Sequence, residues 1–272
     1  MITEKQKMRS DLRLALGRTF YRSKRYLEWL KNYQMFARTI ESEPLDYKIA
    51  GHHSPIFRKL KDVDMWYQHN KATNLKLAIE NLNGLVVNSG ETFSYWRQIG
   101  KPTKRKGYLP GMILTFGSFK PGVGGGLCQL SNLIYWMTLH TPLIVTERHR
   151  HSYDVFPDSN RKQPFGSGAT CAYNYLDLRI YNPTDQPYQL ILKLNEKDLV
   201  GEWRSAAPRL YNYEIYEQDH RVSPAIWGGY IRSNKIYRKT SNQQGQCVDD
   251  ELITENHARM MYEPLLQSSN DS

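Results

Sequence analysis

The sequence has little cysteine: Cys128, Cys171 and Cys247 are the three in a chain of 272 residues. An odd count at wide spacing is not a disulfide framework, and it fits a reducing compartment where a thiol is either buried or reactive. The chain also lacks any run of about 20 apolar residues, the length a membrane-spanning helix needs. Its N-terminus, MITEKQKMRSDLRLALGR, has no apolar core before the charges resume, so no secretory leader is expected and the chain is read as cytoplasmic. There is no internal repeat, no low-complexity tract, and no Cys-x-x-Cys or His-Glu-x-x-His element, which removes repeat arrays, disordered scaffolds and the commonest zinc sites. Neither a metal nor another cofactor is therefore expected. Without a helix-turn-helix, zinc-finger or RNP element, nucleic acid is not an expected partner either.

What is present is positive charge and tyrosine. The 37 Lys and Arg against 27 Asp and Glu give a net +10, which favours acidic partners such as nucleic acid, anionic lipid or anionic cell-wall polymers. The 19 tyrosines suit half-buried strands and wet clefts, since each ring has an apolar body and a polar tip. With 40% apolar residues, the composition is that of a globular protein long enough to bury a core.

Helical patterns come first and strand patterns later, so the expected class is α+β: N-terminal helices, then a mixed domain with a glycine-loop helix packed on a mainly antiparallel sheet. Two parts are expected, a basic helical extension and linker over 1–62 and a main domain over 63–266. Residues 4–40 read as helix broken near Ser23, with Leu12, Leu16, Phe20, Leu27, Leu30 and Met35 at helical spacing. The expectation is that the apolar stripe packs on the domain with the basic face in water; peripheral contact with anionic lipid is the alternative. Residues 41–62, with Pro44, Gly51 and Pro55, read as linker. Asn74 reads as the cap of a short helix ended by Gly84, and 85–87 as a strand followed by a turn at 88–91. Alternation predicts strands over 143–154 and 169–181, the latter with Ala172, Leu176, Leu178 and Ile180 on one face, and a hairpin over 228–240.

Three neighbourhoods carry candidate chemistry. In Gly124-Gly125-Gly126-Leu127-Cys128-Gln129-Leu130-Ser131 the glycines let the backbone turn sharply, and Cys128 falls in the first turn of a helix. Free N–H groups and the positive helix end there favour a thiolate and can hold an anion or oxyanion. Tight packing around a buried cysteine is the bland alternative. In Glu147-Arg148-His149-Arg150-His151, a strand would put His149 and His151 on one face, as bases for Cys128 or as a pair that needs one or two further ligands to hold a metal, while the arginines and Glu147 could equally form a surface ion-pair ladder. The next strand carries Asn174 and Asp177, and a Cys–His pair needs such a group to orient the imidazole. The order thiol, imidazole, polar residue resembles papain-like and transglutaminase-like folds, by analogy alone.

Taken together, NLKLAIENLNGLVVNSGETFSYWRQIG, Gly107-Tyr108, GGGLCQLSNLIY, ERHRHS and GSGATCAYNYLDLRIYN resemble the VanW family in order and spacing over about residues 70–200. The family is named for an accessory protein found with B-type vancomycin resistance, and the resemblance implies a setting in bacterial cell-envelope and peptidoglycan biology without a named reaction. One departure matters: many relatives carry Asp-Ala-Thr where this chain has Gly168-Ala169-Thr170. A triad here would have to use Asp177, Asn174 or Asp154 instead. Two functions follow. One is a Cys–His acyl-transfer or amidase-type enzyme on a peptidoglycan-related peptide, with Cys128 as nucleophile, His151 or His149 as base and Asp177 as orienting group. The other is a non-catalytic module binding an anionic peptidoglycan precursor through Gly124, Gly125, Gly126, Gln129, Ser131, Arg148, Arg150 and the Lys101–Lys106 loop.

Overall fold

The computed structural model describes residues 10–57, 64–115, 117–155, 163–226 and 228–264. At its centre is a five-stranded antiparallel sheet in the order β1 (Thr39–Ile40), β3 (Leu85–Val87), β10 (Tyr188–Leu194), β11 (Asp198–Ser205), β2 (Tyr47–Pro55). Alternation explains its middle: in β11 every second residue, among them Leu199, Gly201 and Trp203, is buried. Helices α2 (Met65–Ile79) and α4 (Cys128–Thr138) lie against this sheet. On α4, Leu130, Leu133, Ile134 and Met137 recur at helical spacing and are all buried. Trp203 Nε1 donates to Thr138 Oγ1 at 3.0 Å, so the one polar atom of that indole is satisfied inside the core.

Around this core sit smaller units. β4 (Thr92–Ser94), β9 (Arg179–Tyr181) and β7 (Ile144–Glu147) form a three-stranded antiparallel sheet, and β5 (Pro110–Thr115) pairs with β6 (Ser118–Val123). The C-terminal sheet runs β12 (Asn212–Pro224), β13 (Tyr230–Ser241), β14 (Cys247–Met260), with β8 (Tyr153–Asp154) added in parallel to β14. Helix α1 (Asp11–Lys31) and the short α3 (Tyr95–Ile99) complete the set. The fold is α+β and mainly antiparallel, with the glycine-loop helix on the sheet, as the sequence led one to expect.

Several local readings are corrected. Helix α1 is continuous through Ser23, is capped by Ser10 and ends at Lys31; residues 4–9 of the expected helix lie outside the described residues. The stretch read as linker supplies β2, which pairs with β11 from Pro55–Asp198 to Tyr47–Ser205. Its Pro55 sits at the strand end and β2 is an edge, so the missing N–H breaks no central ladder. Asn74 is a buried residue well inside α2, which begins at Met65. Strand β7 stops at Glu147, and of the strand expected over 169–181 only β9 forms, with Ala172 and Leu176 bridged across a turn instead of sharing a face. Residues 230–241 form the single strand β13, whose hairpin partner is β12 before it. The orientation of α1 is also reversed. Arg22, Arg25 and Trp29 face the domain, and Leu12, Leu16, Phe20, Leu27 and Leu30 face outward. Arg25 turns inward to a partly buried acid, described next, while Arg13, Arg18, Lys24 and Lys31 stay exposed.

Candidate functional site

The glycine loop is built by close backbone approach. A Cβ on Gly125 would lie 2.1 Å from the carbonyl carbon of Gly111 in β5, so no side chain fits there without moving backbone. Gly126 adopts φ 91°, the left-handed region that glycine enters at no steric cost. Asn74 on α2 locks the loop in place: its amide donates to Leu109 O at 3.0 Å and Gly125 O at 2.9 Å, while its oxygen accepts from Leu109 N at 2.8 Å. The backbone N–H groups of Gly124, Gly125, Gly126, Gln129 and Leu130 donate to carbonyls of the loop and of β5 and its approach. Most of the donors expected to receive an oxyanion are thus already paired.

Cys128 is the first residue of α4, as expected, but its surroundings are not those expected. The half-buried thiol donates to Cys171 O at 3.7 Å and makes no hydrogen bond to His149 or His151. Burial pushes the thiol up from its ordinary value, against the downward pull of two backbone hydrogen bonds. Cys171 lies beside it and is pushed well above the thiol range by burial and by the neighbouring Cys128. Tyr95, fully buried, donates to Leu127 O at 2.8 Å. Ser131 Oγ donates to Ala169 O at 2.7 Å, and Gln129 Nε2 to Ser54 Oγ at 2.9 Å and Pro55 O at 2.8 Å. Both side chains staple α4 to its neighbours.

Beyond β7 the chain leaves strand geometry, so His149 and His151 do not share a strand face. His149 Nε2 lies 3.0 Å from Glu147 Oε1. His151 makes no hydrogen bond with a described residue, and burial lowers its pKa, favouring the neutral imidazole. Arg148 is a clamp: its guanidinium donates to Gly168 O at 2.8 Å, to Thr254 Oγ1 at 3.1 Å and to Gly166 O, and it stacks 4.6 Å over the Tyr135 ring. That guanidinium, expected to meet an anion, has its donors committed to the protein.

The ladder at Glu147 is an interior hub. Arg25 of α1 grips the carboxylate at 2.8 and 2.6 Å, and Asp177 N donates to it at 3.0 Å. Arg179 Nε lies 3.3 Å from it, and the Arg179 guanidinium also bonds Glu28. Burial alone would raise the pKa of Glu147; the bonds from His149, Arg25 and Asp177 N–H outweigh it and hold the carboxyl at about 2. Asp177 is completely buried and accepts from Ser94 Oγ at 2.5 Å, Trp96 N at 2.9 Å and Leu178 N at 3.0 Å. Burial pushes it up to about 6 despite those bonds. It joins the SGETFS segment to β9 and makes no hydrogen bond to a histidine. Asn174 and Asp154 are likewise engaged elsewhere, with Arg22 O and with Arg232 and Tyr262.

One surface near the loop remains open. The basic segment 101–106 packs against it through Pro102, 2.7 Å from where a Gly124 Cβ would be. Lys101, Lys104, Arg105 and Lys106 are exposed and form no ion pair with a described residue. Among the described residues no cluster of His, Cys, Asp and Glu is able to hold a metal ion. Sequence reading missed the hub at Glu147, the lock at Asn74 and the pairing of Cys128 with Cys171. The first had a signal in the run of arginines on α1, which needed a buried acid; the others had none without coordinates.

Residues 70–204 match the family model described as VanW like protein. The chain is similar to the vancomycin B-type resistance protein VanW of Enterococcus faecalis, 32% identical over 233 residues, covering 86% of this chain and 84% of that protein. It is also similar to the Bacillus subtilis protein YoaR, 30% identical over 118 residues, covering 43% of this chain and 37% of that protein. No solved structure matches significantly.

Proposed function

This chain belongs to the VanW family, and from that premise we propose that it acts in the cell-envelope side of vancomycin resistance by binding an anionic peptidoglycan precursor, without itself catalysing a reaction. The relative covering most of the chain is named for vancomycin resistance of B type. The observation that carries the binding role is the rim of four exposed cations, Lys101, Lys104, Arg105 and Lys106, unpaired with described residues beside the glycine loop. Such groups give charge-assisted contacts to phosphate or carboxylate oxygens, and a +10 chain draws such ligands by its long-range field. The Cys–His enzyme is the weaker reading. A nucleophilic thiol needs a depressed pKa or an adjacent base, and Cys128 is pushed upward and bonds a carbonyl.

Calorimetric titration with a nucleotide-linked muramyl peptide tests this. The parent protein is expected to bind, Lys104→Glu with Arg105→Glu to weaken binding by roughly tenfold or more, and Cys128→Ser to bind like the parent. Binding that is indifferent to the cation changes, or turnover of the peptide that Cys128→Ser abolishes, would overturn the proposal.

A further inference from the structure

Helix α1 is amphipathic, yet it docks with its polar side. At about 3.6 residues per turn, Leu12, Leu16, Phe20, Leu27 and Leu30 fall within an arc of less than a quarter turn. Their exposure runs from 63% to 72%. The far side of the helix makes the contacts with the domain: Arg22 Nε donates to Tyr173 O at 3.0 Å, Arg25 grips Glu147, and Trp29 is buried. A surface helix ordinarily does the opposite and turns its apolar stripe to the core. The stripe here spans about 27 Å of helix and runs on past its end into exposed Tyr33 and Met35.

Cations border the stripe. Arg13, Lys24 and Lys31 line one edge of it, all exposed, and Arg38 and Arg97 stack on Tyr33 at its C-terminal end, 4.3 and 5.1 Å from the ring. The acid on α1 whose side chain is described, Glu28, is turned inward to Arg25 and Arg179. We infer that the outer face of α1 lies in the headgroup layer of an anionic lipid bilayer, with the five apolar side chains inserted and the bordering cations on lipid phosphates. The chemistry fits an interfacial helix, which pairs an apolar face with basic residues at the level of the headgroups. A second copy of the chain fits less well, because pairing two such faces brings cation against cation where a helix seam needs opposite charges at its edges. The apolar residues of this surface and the cations of the rim at 101–106 are different residues, so different substitutions test the two proposals.

Co-sedimentation with vesicles decides it. The full chain is expected to pellet with equimolar phosphatidylglycerol and phosphatidylcholine, to pellet at least about tenfold less with phosphatidylcholine alone, and to be released by added salt. Leu16→Ser, Phe20→Ser and Leu27→Ser combined should cut the bound fraction by about tenfold with no loss of melting temperature, since none of the three packs on the domain; Lys24→Glu with Lys31→Glu should also weaken it. Protein left in the supernatant with both vesicle types would overturn the inference. So would a dimer, seen by sedimentation equilibrium, that the triple variant dissociates while vesicle binding stays unchanged; the occupant would then be a second copy.

Discussion

Two carboxylates, the partly buried Glu147 and the fully buried Asp177, set the local electrostatics, and they titrate in opposite senses. Glu147 lies near 2 in the folded chain against an ordinary 4.5, so its stabilisation is complete above about 4.5 and is lost as pH falls through about 2. Asp177 is raised from 3.8 to about 6, so its contribution is present below 3.8 and lost as pH rises through about 6. Glu147→Gln removes the counter-charge that Arg25 and Arg179 share and leaves the two guanidiniums to Glu28. That is expected to cost about 3 kcal/mol at neutral pH, read by urea denaturation beside the parent. The deficit should shrink as the pH is lowered from about 4.5 toward 2. A deficit independent of pH would mean that packing, not the carboxylate charge, is what the substitution removes. At this scale the sequence was legible in part. Cys128 stands at the helix start its glycines implied, but Arg25 on Glu147 and Thr254 on Arg148 lie 122 and 106 positions away in the chain, a separation that no local pattern encodes.

Among the elements, strong periodicity was the reliable guide. The buried stripe of α4 recurs at helical spacing behind its glycines, and β3 is a short apolar run ahead of a turn, so both were readable. The misreadings have physical reasons. β2 looked like linker because proline and glycine punctuate it, although an edge strand tolerates both. Residues 169–178 form no ladder strand: Ser131 and Asn132 of α4 take the backbone groups of Ala169, and Ala172 pairs with Leu176 across a turn. The apolar stripe of α1 suggested a core contact, and the contact formed through Arg25 instead. The division at residue 62 can be tested directly. A chain beginning at residue 63 loses both outer strands of the central sheet, β1 and β2, together with Arg25, leaving Glu147 buried without its main partner. It is expected to be insoluble or to melt without cooperativity in a calorimetric scan. A soluble chain with a sharp transition would show that residues 1–62 are a separable extension.

For the whole molecule, the order of helical and strand patterns foretold the class. An α+β chain with +10 charge was legible at once, and the VanW relationship rests on motifs that fold into one region, the glycine loop and the residues that hold it. What the sequence could not convey is that those motifs spend their polar groups on one another. Asn74, Tyr95, Gln129 and Ser131 all bond protein atoms, whereas Lys101, Lys104, Arg105 and Lys106 are exposed. The central claim is that Cys128 belongs to this framework and recognition belongs to the rim. A pH titration of Cys128 alkylation, read residue by residue by mass spectrometry in the parent and in His151→Gln, tests it most directly. The account predicts two superimposable curves with midpoints above the ordinary thiol value of about 8.5. A midpoint well below that value in the parent, moving upward in His151→Gln, would contradict it and restore the Cys–His pair.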